Sequence, residues 1–98
     1  MIIVTGSIVA RPDTIDQLIE VSLEHVHRSR TEAGCLTHGV HRDVENPLRL
    51  VFLEEWADRD ALMAHFRVPE SAAFVRAATD LAADAPELRM FDASALQR

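Results

Sequence analysis

Five histidines stand at positions 25, 27, 38, 41 and 65. His38 and His41 share one stretch, CLTHGVHRDVENPLRLVFLEEW, with the lone Cys35 and the lone Trp56. Near neutral pH an imidazole can take or give a proton, ligate a metal or pair with a carboxylate. Metal binding is the first chemistry to weigh, and the spacing argues against it. His38 and His41 lie three apart in an extended segment and so face opposite ways. His25 and His27 lie two apart in a helical segment, about 200° around its axis. No HExxH or CxxC pattern occurs. No metal centre is expected from local spacing, so one could arise only from distant parts of the chain.

Proton transfer fits better. His38 alternates with Leu36 and Val40 on one face of its strand, which points it inward. His65, in ALMAHF, shares a helical stripe with Ala61, Leu62 and Phe66 and is expected at its edge, partnered by Glu54, His38 or a bound ligand. Glu54 has the same parity as Leu50, Phe52 and Trp56, an unusual place for a carboxylate. Pairing with Arg76 or Arg42, or a place on a pocket wall, would account for it. Trp56 reads first as an aromatic anchor of the core. Cys35 has no base beside it in sequence and reads as a small buried residue rather than a nucleophile.

These side chains need elements to hold them. IIVTGSIVA at 2–10 is short, apolar and β-branched, hence a strand ended by Arg11-Pro12-Asp13. Ile15, Leu18, Ile19, Ser22, Leu23 and Val26 follow one helix face, predicting a helix over about 13–32 with Gly34 as its cap. The quoted stretch then reads as an antiparallel hairpin turning at DVENP. Asp58 is a suitable N-cap for a short helix broken at Pro69. Ala73, Phe74, Ala77, Ala78 and Leu81 mark a second helical segment ended by Pro86, and LRMFDAS is a last strand. The order β-α-β-β-α-β, with its second helix in two pieces, predicts an α+β, ferredoxin-like fold with an antiparallel sheet carrying helices on one face. The whole chain, 1–98, reads as one domain.

The helix-free face of such a sheet should be polar if water covers it. Instead Ile3 and Val9 oppose Ile2, Val4 and Ile8 in the first strand, and Val51 and Leu53 oppose Leu50 and Phe52 in the third. A second copy of the chain is the simplest cover, so a homodimer is expected. The 98 residues carry 16 acidic and 10 basic side chains, a net charge of −6, with no clustered basic face for nucleic acid. His27, Arg28 and Arg30 fall near a helix C-terminus, where positive charge suits the dipole. No apolar run approaches the roughly 20 residues a bilayer requires. The N-terminus lacks a basic start before its apolar run, so no membrane partner and a cytoplasmic location are expected.

Taken together, Gly34-Cys35-Leu36, the RD…NP hairpin through Arg42, Asp43, Asn46 and Pro47, Glu55-Trp56, ALMAHF, and Arg11-Pro12 resemble the antibiotic biosynthesis monooxygenase family. The resemblance covers nearly the whole chain. It implies a dimeric α+β barrel with sheets packed face to face and a pocket in each subunit between sheet and helices. It implies oxidation of quinols or anthrone-like aromatics by O₂ without metal or flavin, although relatives degrade haem or isomerise signalling molecules. Two departures stand out. Family members often carry Pro-His where this chain has Pro69-Glu70, and tyrosine where it has His38; this chain has no tyrosine. A phenol proton donor is therefore excluded, and His38 or His65 must take that role.

The resulting expectation is a cofactor-independent monooxygenase acting on a small electron-rich aromatic such as a quinol. His65 or His38 would deprotonate the substrate hydroxyl, with His65 the stronger candidate. Trp56, sharing one cavity with His65, would point its N–H at substrate. Phe52, Phe66 and Phe74 would supply apolar wall, Glu54 would line the pocket, and Arg76 would stabilise the anion. The alternative is a non-catalytic dimeric barrel that binds a small molecule or serves a stress response.

Overall fold

In the computed structural model, which describes residues 1–97, the elements are β1 (Ile2–Val9), α1 (Ile15–Ser29), β2 (Cys35–Arg42), β3 (Arg49–Trp56), α2 (Arg59–Arg67), α3 (Pro69–Leu81) and β4 (Glu87–Asp92). The strands form one antiparallel sheet in the order β2-β3-β1-β4. This is the ferredoxin-like topology expected from the order of elements.

Alternation decides which side chains meet the helices. From β1, Ile2, Val4 and Ile8 turn inward, and from β3, Leu50, Phe52, Glu54 and Trp56 do so; all seven are buried. The apolar ones fall into two groups. Ile8, Leu50 and Phe52 pack with Ile15, Leu18, Val26 and Ala78, while Ile2, Val4 and Trp56 pack with Leu62. Glu54 lies on β3 between the two groups, so the core has a polar break in its middle.

Helix α1 is shorter than its apolar pattern suggests. Residues 11–14 form a turn in which Thr14 Oγ1 accepts from the Arg11 N–H (3.0 Å) and donates to the Leu81 carbonyl (2.6 Å). Its buried stripe is Ile15, Leu18, Ser22, His25, Val26 and Ser29, and Leu23 is exposed. Arg30, not Gly34, is the C-cap. Gly34 instead turns the chain into β2 with φ +81°, and a Cβ there would collide with the Ala61 Cβ. Glycine is required for both reasons.

Three local expectations are corrected. A bulge between Cys35 and Thr37 throws Leu36 out of register and into solvent, so it does not share the inward face of His38 and Val40. Ala73 is exposed on α3. On α2 the buried line is Leu62 and His65, while Phe66 is largely exposed, so His65 occupies the centre of the stripe and not its edge. Asp58 caps α2 as expected, its carboxylate accepting from the Ala61 N–H at 2.8 Å. Val68 is extended before Pro69, which clears the proline ring and separates α2 from α3.

Candidate active site

The polar break in the core is filled by imidazoles from three elements. His25 comes from the buried stripe of α1, His38 from the inward face of β2 and His65 from the centre of α2. All three are buried, and one ring nitrogen from each lies within 4.8 Å of the other two. Ring centroids are 5.3 Å apart for His25 and His38, 5.3 Å for His25 and His65, and 5.7 Å for His38 and His65. The sequence reading did not single out His25. Its signal was nonetheless present: Ser22, His25 and Ser29 continue the spacing of Ile15 and Leu18, so polar residues sit in the buried stripe of α1.

Each ring has a different polar neighbour. His65 Nδ1 is 2.7 Å from Glu32 Oε1. A carboxylate only accepts, so Nδ1 carries a proton, and in the neutral ring Nε2 keeps its lone pair. Glu32 is the second residue that sequence reasoning missed. It lies in the turn after α1, 33 positions away, and replaces the expected partners Glu54 and His38. His25 Nδ1 faces the Arg28 guanidinium, which also reaches Ser71 Oγ at 3.3 Å. A guanidinium only donates, so Nδ1 accepts and the proton of neutral His25 is on Nε2. Arg28 Nε lies 3.9 Å from Glu32 Oε2. The basic residue assigned to the helix dipole therefore also belongs to the site.

His38 Nε2 approaches Glu54 Oε1 at 3.3 Å without forming an aligned hydrogen bond. Glu54 Oε1 also accepts from Trp56 Nε1 at 2.9 Å. Two expectations change here. Trp56 spends its N–H on Glu54 rather than on a ligand, and it stands fully buried behind His65, ring centroids 4.6 Å apart. Glu54 pairs with His38 and Trp56, not with an arginine: Arg42 donates to the Pro47 carbonyl, and Arg76 is exposed on α3, away from the site.

The electrostatics follow from burial. Desolvation, helped by His38, His65 and Arg28, lowers the His25 pKa from 6.5 to about 3, so this ring stays neutral. Burial pushes the Glu54 carboxyl upward, but the His38 contact and the Trp56 N–H outweigh it and hold it below the usual range. Burial, then the Glu54 and Glu32 charges, raise the Cys35 thiol, which keeps it a poor nucleophile at neutral pH.

A cavity of about 320 Å³ opens beside the rings, between the sheet, α2 and α3. His25, Glu54 and His65 form its polar end, with Ser71 nearby; Ile8, Phe52, Phe66, Phe74, Val75 and Leu88 line the rest. Of the residues picked from sequence, Phe52, Glu54, His65, Phe66 and Phe74 meet at this cavity. His38 and Trp56 stand behind it, and Arg76 lies outside.

Three imidazoles at this spacing also meet the ligand count of an open metal site. Local spacing in the sequence concealed this, because each ring comes from a different element. Arg28 competes with any metal for the His25 Nδ1 lone pair.

A ferredoxin-like α+β fold with a cavity between sheet and helices defines the class. The chain matches the antibiotic biosynthesis monooxygenase profile over residues 1–77. It belongs to that family. Among solved structures it is similar to an antibiotic biosynthesis monooxygenase at 27% identity and TM-score 0.89, covering 97% of this chain and 100% of that one. It shares its fold with a Deinococcus radiodurans protein provisionally given the same name, at 22% identity and TM-score 0.93, covering 100% and 97%. It is also 32% identical over 90 residues to an uncharacterised Synechocystis protein. That match covers 92% of this chain and 61% of the relative's length.

Proposed function

We propose that this protein is a monooxygenase that oxidises a quinol or similar electron-rich aromatic with O₂, without a metal or organic cofactor. The observation that carries this reading is His65: its Nδ1 is held by Glu32, which leaves Nε2 as a base at the polar end of an apolar cavity. In this reading Nε2 takes the substrate hydroxyl proton. The resulting anion is the better electron donor, and it reduces O₂ directly. The balance is quinol plus O₂ giving hydroxyquinone plus water, with all four electrons drawn from the substrate. A general base at this position contributes about 10²–10⁴-fold. His38, facing Glu54, serves this site by holding that carboxylate in place.

The reading includes a homodimer, the usual assembly of this family. Oxygen uptake measured against a panel of quinols tests the activity. Uptake is expected with at least one of them, and His65→Ala should lower its rate by about 10²–10⁴-fold. Quinol binding without oxygen uptake would transfer the assignment to a small-molecule-binding barrel. Full activity in a folded His65→Ala protein would refute the base assignment.

A further inference from the structure

The base reading leaves His25 without a task, although this ring lies on the cavity wall at the cost of burial beside Arg28, His38, His65 and Glu54. We propose that His25 is the anion-stabilising partner of His65: its Nε2–H donates to the same substrate oxygen from which His65 Nε2 removes the proton, so the ligand is a phenol that presents one acidic hydroxyl to both rings. The proposal rests on the His65 assignment and supplies what Arg76, exposed on α3, cannot.

The tautomers carry the argument. Arg28 makes His25 a donor toward the cavity side and Glu32 makes His65 an acceptor. The two settings are linked, because Arg28 and Glu32 face each other at 3.9 Å. The chain His25–Arg28–Glu32–His65 thus fixes two like rings in opposite states, with the charges of its two middle members balanced. Phe74 stacks on His25 with centroids 4.1 Å apart and planes 8° from parallel, which fixes the direction of the donor.

The spacing suits a single oxygen. One nitrogen of the His25 ring and one of the His65 ring lie within 4.8 Å of each other, and two nitrogens at that spacing can both reach one oxygen at hydrogen-bonding distance. At that limit the N···O···N angle is about 120° for contacts of about 2.8 Å. A hydroxyl oxygen has one proton for His65 and a lone pair for His25. A neutral donor suits this task, since a cationic ring would return its proton to the anion. In a site closed to water such a donor is worth about 10²–10³-fold in rate. The apolar end, formed by Ile8, Phe52, Val75 and Leu88, selects for a hydrocarbon body behind that hydroxyl.

The test uses 4-nitrophenol, whose absorption distinguishes phenol from phenolate, with the purified protein and with His25→Phe, His25→Asn and His65→Gln. Bound to the wild type, nitrophenol should ionise at a pH at least one unit below its value in water. His25→Phe should preserve stacking on Phe74 but lose most of that shift. His25→Asn, which retains an N–H donor, should recover part of it, and His65→Gln should abolish it. Circular dichroism establishes that each variant is folded. Nitrogen-15 NMR should find His25 neutral with its proton on Nε2 at neutral pH. An unchanged shift in folded His25→Phe, no ionisation in the wild type, or a His25 proton on Nδ1 would each overturn the proposal. So would stoichiometric cobalt(II) uptake with ligand-field bands that disappear in His25→Phe, which would make the cluster a metal centre. Ionisation of nitrophenol without oxidation of any quinol would leave this inference standing and remove the monooxygenase reading.

Discussion

His25 is the residue through which pH should act on stability. Its pKa falls from 6.5 to about 3 on folding because the buried site resists a second positive charge beside Arg28. The unfolded chain therefore binds a proton in that window that the native state refuses. Stability should fall with acidification, by about 1.4 kcal/mol per pH unit from this group where the difference is complete. Glu54 acts in the same direction lower down: its depressed pKa means that the unfolded carboxyl protonates first, so its contribution is present above 4.5 and lost as pH falls through its native value. Urea unfolding between pH 7 and 4 should show a steep loss of stability that is shallower in His25→Phe. A flat profile in the wild type would show that the ring is not held neutral. The α1 stripe foretells the burial and Arg28 lies one turn on, but His38, His65 and Glu54 arrive from other elements.

At the level of elements, the site depends on two junctions. The turn from α1 into β2 carries Glu32 to His65, and Gly34 makes that turn possible. Alanine at position 34 would need a left-handed backbone and would strike Ala61 of α2. Gly34→Ala should cost on the order of 1–3 kcal/mol. By moving α2 it should also weaken the Glu32 contact, seen as lost activity at temperatures where the variant remains folded. The second junction is Asp58, whose carboxylate caps the helix that presents His65. Asp58→Ala should cost about 0.5–2 kcal/mol in thermal unfolding. A cost near zero would mean that packing of Leu62 alone holds α2. Asp58 was legible as a cap from its type and place before ALMAHF; the clash that forbids alanine at 34 was not, since Gly34 and Ala61 meet only after folding.

For the whole molecule, the helix-free sheet face is the surface that bears on assembly. Ile3, Val51, Leu53 and Phe91 occupy this face across β1, β3 and β4, with Leu53 47% and Phe91 40% exposed. No helix among the described residues covers them. Burying each such side chain is worth about 1.5–3 kcal/mol, which favours pairing two sheets over leaving both wet. Leu53→Asp should convert a dimer into monomers in light scattering at micromolar concentration, or unfold it. A wild-type monomer under those conditions would refute the assembly. No helix among the described residues is long and apolar enough to cross a membrane.

The order of elements, the antiparallel sheet, the break at Pro69 and the two-sided apolar strands were determined by the sequence, because they follow from periodicity, capping and proline geometry, which act over a few residues. The same local rules placed His38, Glu54 and His65 inward. The partners of those groups were decided only by the tertiary structure. Glu32 rather than Glu54 holds His65, Arg28 sets the tautomer of His25, and Trp56 donates to Glu54 instead of to the cavity. The reason is physical: a hydrogen bond depends on distances of tenths of an ångström between residues tens of positions apart. Such distances are fixed by how α1, α2 and the sheet pack, and no spacing within one element encodes them.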